Sequence, residues 1–168
     1  MFLTPTDFTG FYAISNGGAN QNDKIEAYIS EYEPDFLRDL LGVELYNLFV
    51  ADLDPITGLP VTARFLDIYN AIYLDDDSCI RISKGMKEML KGFVYFNIVR
   101  DSDFHNTISG NVKNEFSNAS SVTTIQMGLN ERYNVALGYY NTIQWFICEN
   151  SAVYPEYNGQ SKEVEVWL

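Results

Sequence analysis

One histidine and two cysteines in 168 residues leave little material for the commonest metal and nucleophile chemistries. His105 stands alone, so no histidine pair can ligate a metal, and any catalytic triad would have to use a residue with no nucleophile signature near it. Cys79 and Cys148 lie in unrelated contexts without metal-like spacing and are expected to be reduced, structural thiols. Lysine and arginine total 11 against 23 aspartates and glutamates, and the formal charge of −12 argues against a broad grip on nucleic-acid phosphates. No run approaches the roughly 18 uninterrupted apolar residues of a membrane helix, and MFLTPTDFTG lacks the regions of a signal peptide. A soluble, intracellular product without membrane contact is therefore expected. ISNGGANQND has glycines but no Lys-Ser or Lys-Thr, which excludes a phosphate loop.

What is present is apolar and aromatic. Hydrophobic residues make up 46% of the chain and aromatics 15%, enough for one folded domain spanning 1–168. Thr4 before Pro5 signals a short capped turn. Ile25, Tyr28, Ile29 and Tyr32 recur at helical spacing, and Pro34 is expected to end that helix and open a second one, closed by Gly42. VELYNLFVADL continues as a helix up to the turn-rich DPITGLP, and TARFLDIYNAIY predicts a further helix through Phe65, Ile68, Tyr69 and Ile72.

Two long helices follow. Ser83 is the expected N-cap of SKGMKEMLKGFVYFNIVRD, with Met86, Met89, Leu90, Phe93 and Val94 on one face. Residues 121–150 repeat the pattern through Leu129, Tyr133, Ala136, Leu137, Tyr140 and Ile147. Tyr139, Trp145 and Phe146 stand off that stripe, to be covered either by the chain itself or by a partner. The fold class expected is mainly α, a helical bundle.

Between these helices lies HNTISGNVKNEFSNASS. A three-residue turn, Ser109-Gly110-Asn111, sets Ile108 opposite Val112, Asn106 opposite Asn114 and Phe104 opposite Phe116, all on one face. This predicts a protruding β-hairpin arm over about 104–116 that needs a neighbour to hold it, since isolated hairpins are marginal; the other reading is a disordered polar loop. In SKEVEVWL, Val164, Val166 and Leu168 alternate with Glu163, Glu165 and Trp167, the pattern of a short C-terminal strand or of a frayed tail.

The acidic stretches carry no convincing site. Asp75, Asp76 and Asp77 are consecutive, so their side chains diverge, and the run is expected to be a solvated connector. Asp52 and Asp54 lack the glycine and terminal glutamate of a calcium loop and are expected to form a turn. No catalytic, cofactor-binding or metal residue is assigned.

Several segments taken together resemble a known family: EYEPDFLRDLLGVELYNLF, SKGMKEMLKGFVYFNIVRD, the TISGNVK stretch, NERYNVALGYYNTIQWFI and YPEYNG. Over about residues 20–160 the chain is similar to head-tail connector, or adaptor, proteins of tailed bacteriophages, including those of phages of gut bacteria and the ring proteins of crAss-like phages. The resemblance implies a structural protein of the virion neck, assembled in the host cytoplasm as a ring of copies of itself, commonly twelve. Its partners would be the portal protein and a downstream neck or tail protein, with genomic DNA passing through the lumen without specific binding. On that reading Phe104, Ile108, Val112, Phe116, Trp145, Val164, Val166, Trp167 and Leu168 are the expected interface residues, and no cofactor is required. Two other functions compete: a small metal-dependent hydrolase or nuclease using Asp75–Asp77, and a monomeric helical regulator that binds a host protein.

Overall fold

The computed structural model describes residues 2–14, 21–76, 79–102, 104–107, 110–113 and 122–159. Among them the chain is mainly helical, with five α-helices and two antiparallel hairpins. The helices are α1 (Gln21–Leu41), α2 (Val43–Ala51), α3 (Ala63–Tyr69), α4 (Met86–Ser102) and α5 (Val122–Glu149). The strands are β1 (Ile72–Asp76), β2 (Cys79–Ser83), β3 (Phe104–Thr107) and β4 (Gly110–Lys113).

The core is the seam where α1, α4 and α5 meet. Tyr28 donates from its hydroxyl to Asp101 Oδ2 at 3.2 Å, while Phe36 stacks on Phe93 with ring centroids 4.6 Å apart, so α1 and α4 run antiparallel. Phe93 also meets Tyr133 and Tyr140 of α5 edge-on, at 5.2 and 6.0 Å. The α4 and α5 backbones approach because Gly92 has no side chain: a Cβ there would lie 2.5 Å from Ala136 Cβ. Met86, Met89, Leu90, Phe93 and Val94 are wholly buried, so the stripe written into the sequence of α4 is the face that packs.

The expected break at Pro34 does not occur, and α1 runs through it. Proline removes one helical hydrogen bond, but residues on both sides are held by the core: Ile25 and Ile29 before it, Phe36, Leu37, Leu40 and Leu41 after it. Burying both halves offsets the lost bond. Glu33, 3% exposed, adds a further tie by accepting hydrogen bonds from the backbone N–H groups of Phe2 and Leu3 at 2.8 and 3.0 Å. Burial raises its pKa, opposed by those two N–H groups.

Gly42 ends α1 where expected, at a φ of 75° that side chains other than glycine rarely adopt. A Cβ at this position would also meet Asn158 and Gly159 within 2.9 Å, because the end of the described chain folds back over the α1–α2 joint. The YNG of the YPEYNG segment is thus a packing element.

Three further expectations need correction. Ile72 is the first residue of β1, and α3 ends at Tyr69. Ser83 is the last residue of β2 and does not cap α4; its Oγ accepts from Gly85 N at 3.1 Å, and the helix starts at Met86. Asp75 and Asp76 end β1 and do not form a connector, while Asp77 lies outside the described residues. The reason is shared: β1 and β2 pair, Tyr73 with Ile82 and Asp75 with Ile80, and strand pairing overrides a local helical pattern.

Candidate assembly surface

The first hairpin, β1–β2, has two unlike faces. Ile72, Leu74, Arg81 and Ser83 turn inward to α5, with Ile72 and Ser83 buried and the Arg81 guanidinium 4.3 Å above the ring of Trp145. Alternation then puts Tyr73, Asp75, Ile80 and Ile82 on the outer face. Tyr73, Ile80 and Ile82 are all more than half exposed there. Three large apolar side chains on one small sheet face form a patch of the kind that marks an interaction site.

The connection from α2 to α3 carries a second patch. Asp54 Oδ1 accepts from the N–H groups of Ile56 and Thr57 at 2.9 and 2.7 Å, and Asp52 Oδ2 accepts from those of Val61 and Thr62, both at 2.8 Å. Loss of water pushes the Asp52 carboxyl up, but the Thr62 hydroxyl and the two N–H groups together hold it below the usual aspartate range, and the Thr57 and Ile56 donors hold Asp54 below it as well. The expected turn is therefore present and internally braced. At its tip Ile56 is 92% exposed, with Val61 and Leu59 beside it.

A third feature is a cleft of about 490 Å³ between the N-terminal segment, the start of α4 and the middle of α5. Phe11, Tyr12 and Tyr139 supply aromatic walls, and Lys84, Lys91 and Glu88 supply the charges. Glu88 pairs with Lys91. Arg132 steadies Phe11, donating to its carbonyl at 2.7 Å and lying 4.7 Å from its ring centre.

The expected interface residues are distributed differently. Trp145 packs beneath Arg81 of its own chain. The second hairpin forms, but Phe104 pairs with Lys113, not Phe116, and His105 pairs with Val112. The register is shifted by three residues, because Thr107 pairs with Gly110 across a two-residue connection where a three-residue turn was expected. An odd shift undoes the single apolar face. Ile108, Phe116, Val164, Val166, Trp167 and Leu168 lie outside the described residues, as does the expected C-terminal strand.

Among the described residues no group of three His, Cys, Asp or Glu side chains could hold a metal, and no helix is long and apolar enough to cross a membrane. Cys148 is a free thiol, as expected, but it is exposed on α5 and so does not serve the structural role expected of it. Sequence reasoning missed Ile56, Tyr73, Ile80 and Ile82. The signal for the last three was available in IYLDD and CIRIS, two apolar runs separated by the two residues Asp77-Ser78. Comparison with protein-family models, curated proteins and solved structures finds no match.

Proposed function

We propose that this protein is a structural connector of a tailed-phage neck, a ring of identical subunits beneath the portal with DNA passing through the lumen. The observation that carries the reading is the set of large apolar side chains exposed on braced elements, the outer face of β1–β2 and the Ile56 loop. Such surface is costly to leave wet and is covered in an assembly. The segments quoted above, which resemble neck connectors, supply the identity of that assembly. The charge of −12 suits a channel through which DNA must slide without adhering. The role is structural, with no chemistry of its own. On this reading segment 104–116 acts as a protruding arm and 161–168 as a strand, both completed by a neighbouring subunit, the portal or the next neck protein.

Mass photometry of the purified protein mixed with portal rings tests this directly. A portal-dependent ring is expected; a monomer unchanged by saturating portal would refute it. Deleting residues 105–115 should leave the helical circular dichroism intact and abolish head-tail joining.

A further inference from the structure

The apex of a tight turn is ordinarily Gly, Asn, Asp or Ser, since nothing there is buried. Here it is Ile56, at 92% the most exposed of the large hydrophobic side chains described. The exposure is not a product of slackness. Asp54 holds the turn through Ile56 N, Thr57 N and the Thr57 hydroxyl, Gly58 N donates to Asp54 O at 2.8 Å, and Asp54 N donates to Leu59 O at 2.9 Å. Leu53 and Pro60 bridge its base. A braced knob loses little conformational freedom when it binds. The segment that carries it is acidic: between Val43 and Thr62 the chain has Glu44, Asp52 and Asp54 and no lysine or arginine, and Arg64, just beyond it, is paired with Glu156.

The cleft walled by Phe11 and Tyr139 has the opposite character. It is aromatic, and its charged lining is Lys84, Lys91 and Glu88, two cations against one acid in a chain where acids outnumber cations two to one. No residue of the 52–62 loop lines it, and Ile56 is exposed in its own chain, so an Ile56 loop that entered the cleft would come from another molecule.

We infer that the Ile56 loop of one copy seats in the Phe11–Tyr139 cleft of a second copy. The two surfaces are different parts of the chain, so the contact is head-to-tail and can be repeated, adding copies towards a ring or a filament. Complementary charge should make the association weaken as salt rises. The inference rests on the assembly reading only in requiring that copies meet.

In a Cys79→Ser, Cys148→Ser background, Ile56→Cys and Lys84→Cys proteins are purified separately, mixed and oxidised, alone and with portal rings. The expected product is the mixed disulfide, absent from either protein alone, and a ladder from the double variant. Ile56→Asp should weaken self-association about tenfold or more by sedimentation velocity, with unchanged circular dichroism. Lys84→Glu should weaken it less, and most at low salt. Disulfides of Ile56→Cys with itself, or no mixed disulfide under either condition, would overturn the contact. Rings on the portal without the mixed disulfide would sink this contact alone, whereas portal-independent ladders with no portal binding would keep it and sink the neck reading.

Discussion

The two hairpins are alike in construction and opposite in support. Each is antiparallel with a two-residue connection, yet β1–β2 sets one face against α5, whereas among the described residues β3 lies against α4. In the first, Ile72 is buried and Arg81 stacks on Trp145. In the second, no pair in the ladder joins two large apolar residues: the partners are Phe104 with Lys113 and His105 with Val112. A two-stranded ribbon is marginal by itself, so the first is a part of the domain and the second must borrow stability from elsewhere.

Substitutions can break this contrast in graded steps. Gly85, between β2 and α4, has a φ of 97°, and a Cβ there would come within 2.6 Å of Tyr69 O. Gly85→Val should therefore be the most damaging, losing roughly 3 kcal/mol or more in chemical denaturation as strain and clash combine. Ile72→Ala opens a cavity under the first hairpin and should cost about 2–4 kcal/mol by the same measurement. Arg81→Ala removes the cation over Trp145 and should cost about 0.5–1 kcal/mol, accompanied by a change in tryptophan fluorescence. At the bottom of the scale, Phe104→Ala in the second hairpin and Ile82→Thr on the outer face of the first should each change stability by about 0.5 kcal/mol or less. If Phe104→Ala matched Ile72→Ala, the second hairpin would be as integral as the first.

A pH measurement sharpens the same boundary. Asp7 accepts from Thr4 N at 2.8 Å and pairs with Lys87 of α4 at 2.9 Å; burial raises its pKa, but Lys87 and Thr4 together hold it below the ordinary 3.8. A depressed carboxyl stabilises the fold above pH 3.8 and loses that contribution as pH falls through its folded value. Asp7→Asn should therefore flatten the acid-side loss of stability. Amide exchange in β3–β4 should not respond, since Asp7 braces α4 at its opposite end.

Much of the helical framework was legible because a helix repeats within a few residues of itself. The stripe from Met86 to Val94 and the stop at Gly42 follow from spacing and from glycine's freedom alone. The β1–β2 hairpin was overlooked because Phe65, Ile68, Tyr69 and Ile72 also fit a helical period, although IYLDD and CIRIS carry a strand signal; pairing with Ser83 decides for the strand at Ile72. The outer apolar patch went with it, since which residues share a face follows from the strand assignment. Pro34 misled in the other direction, as a local rule met burial on both of its sides.

By itself the sequence determined an acidic, mainly helical chain with apolar stripes, a turn at Asp52 and Asp54 and too few histidines and cysteines for the commonest metal sites. Those are properties of composition and of short-range geometry. Three-dimensional structure decided the register of β3–β4, the seat of Trp145 under Arg81, the fold-back of Asn158 and Gly159 onto Gly42, and the exposure of Ile56. The Arg81–Trp145 and Gly42–Asn158 contacts join residues far apart in the chain, and the register and the exposure follow from backbone hydrogen bonding that no hydrophobic period records.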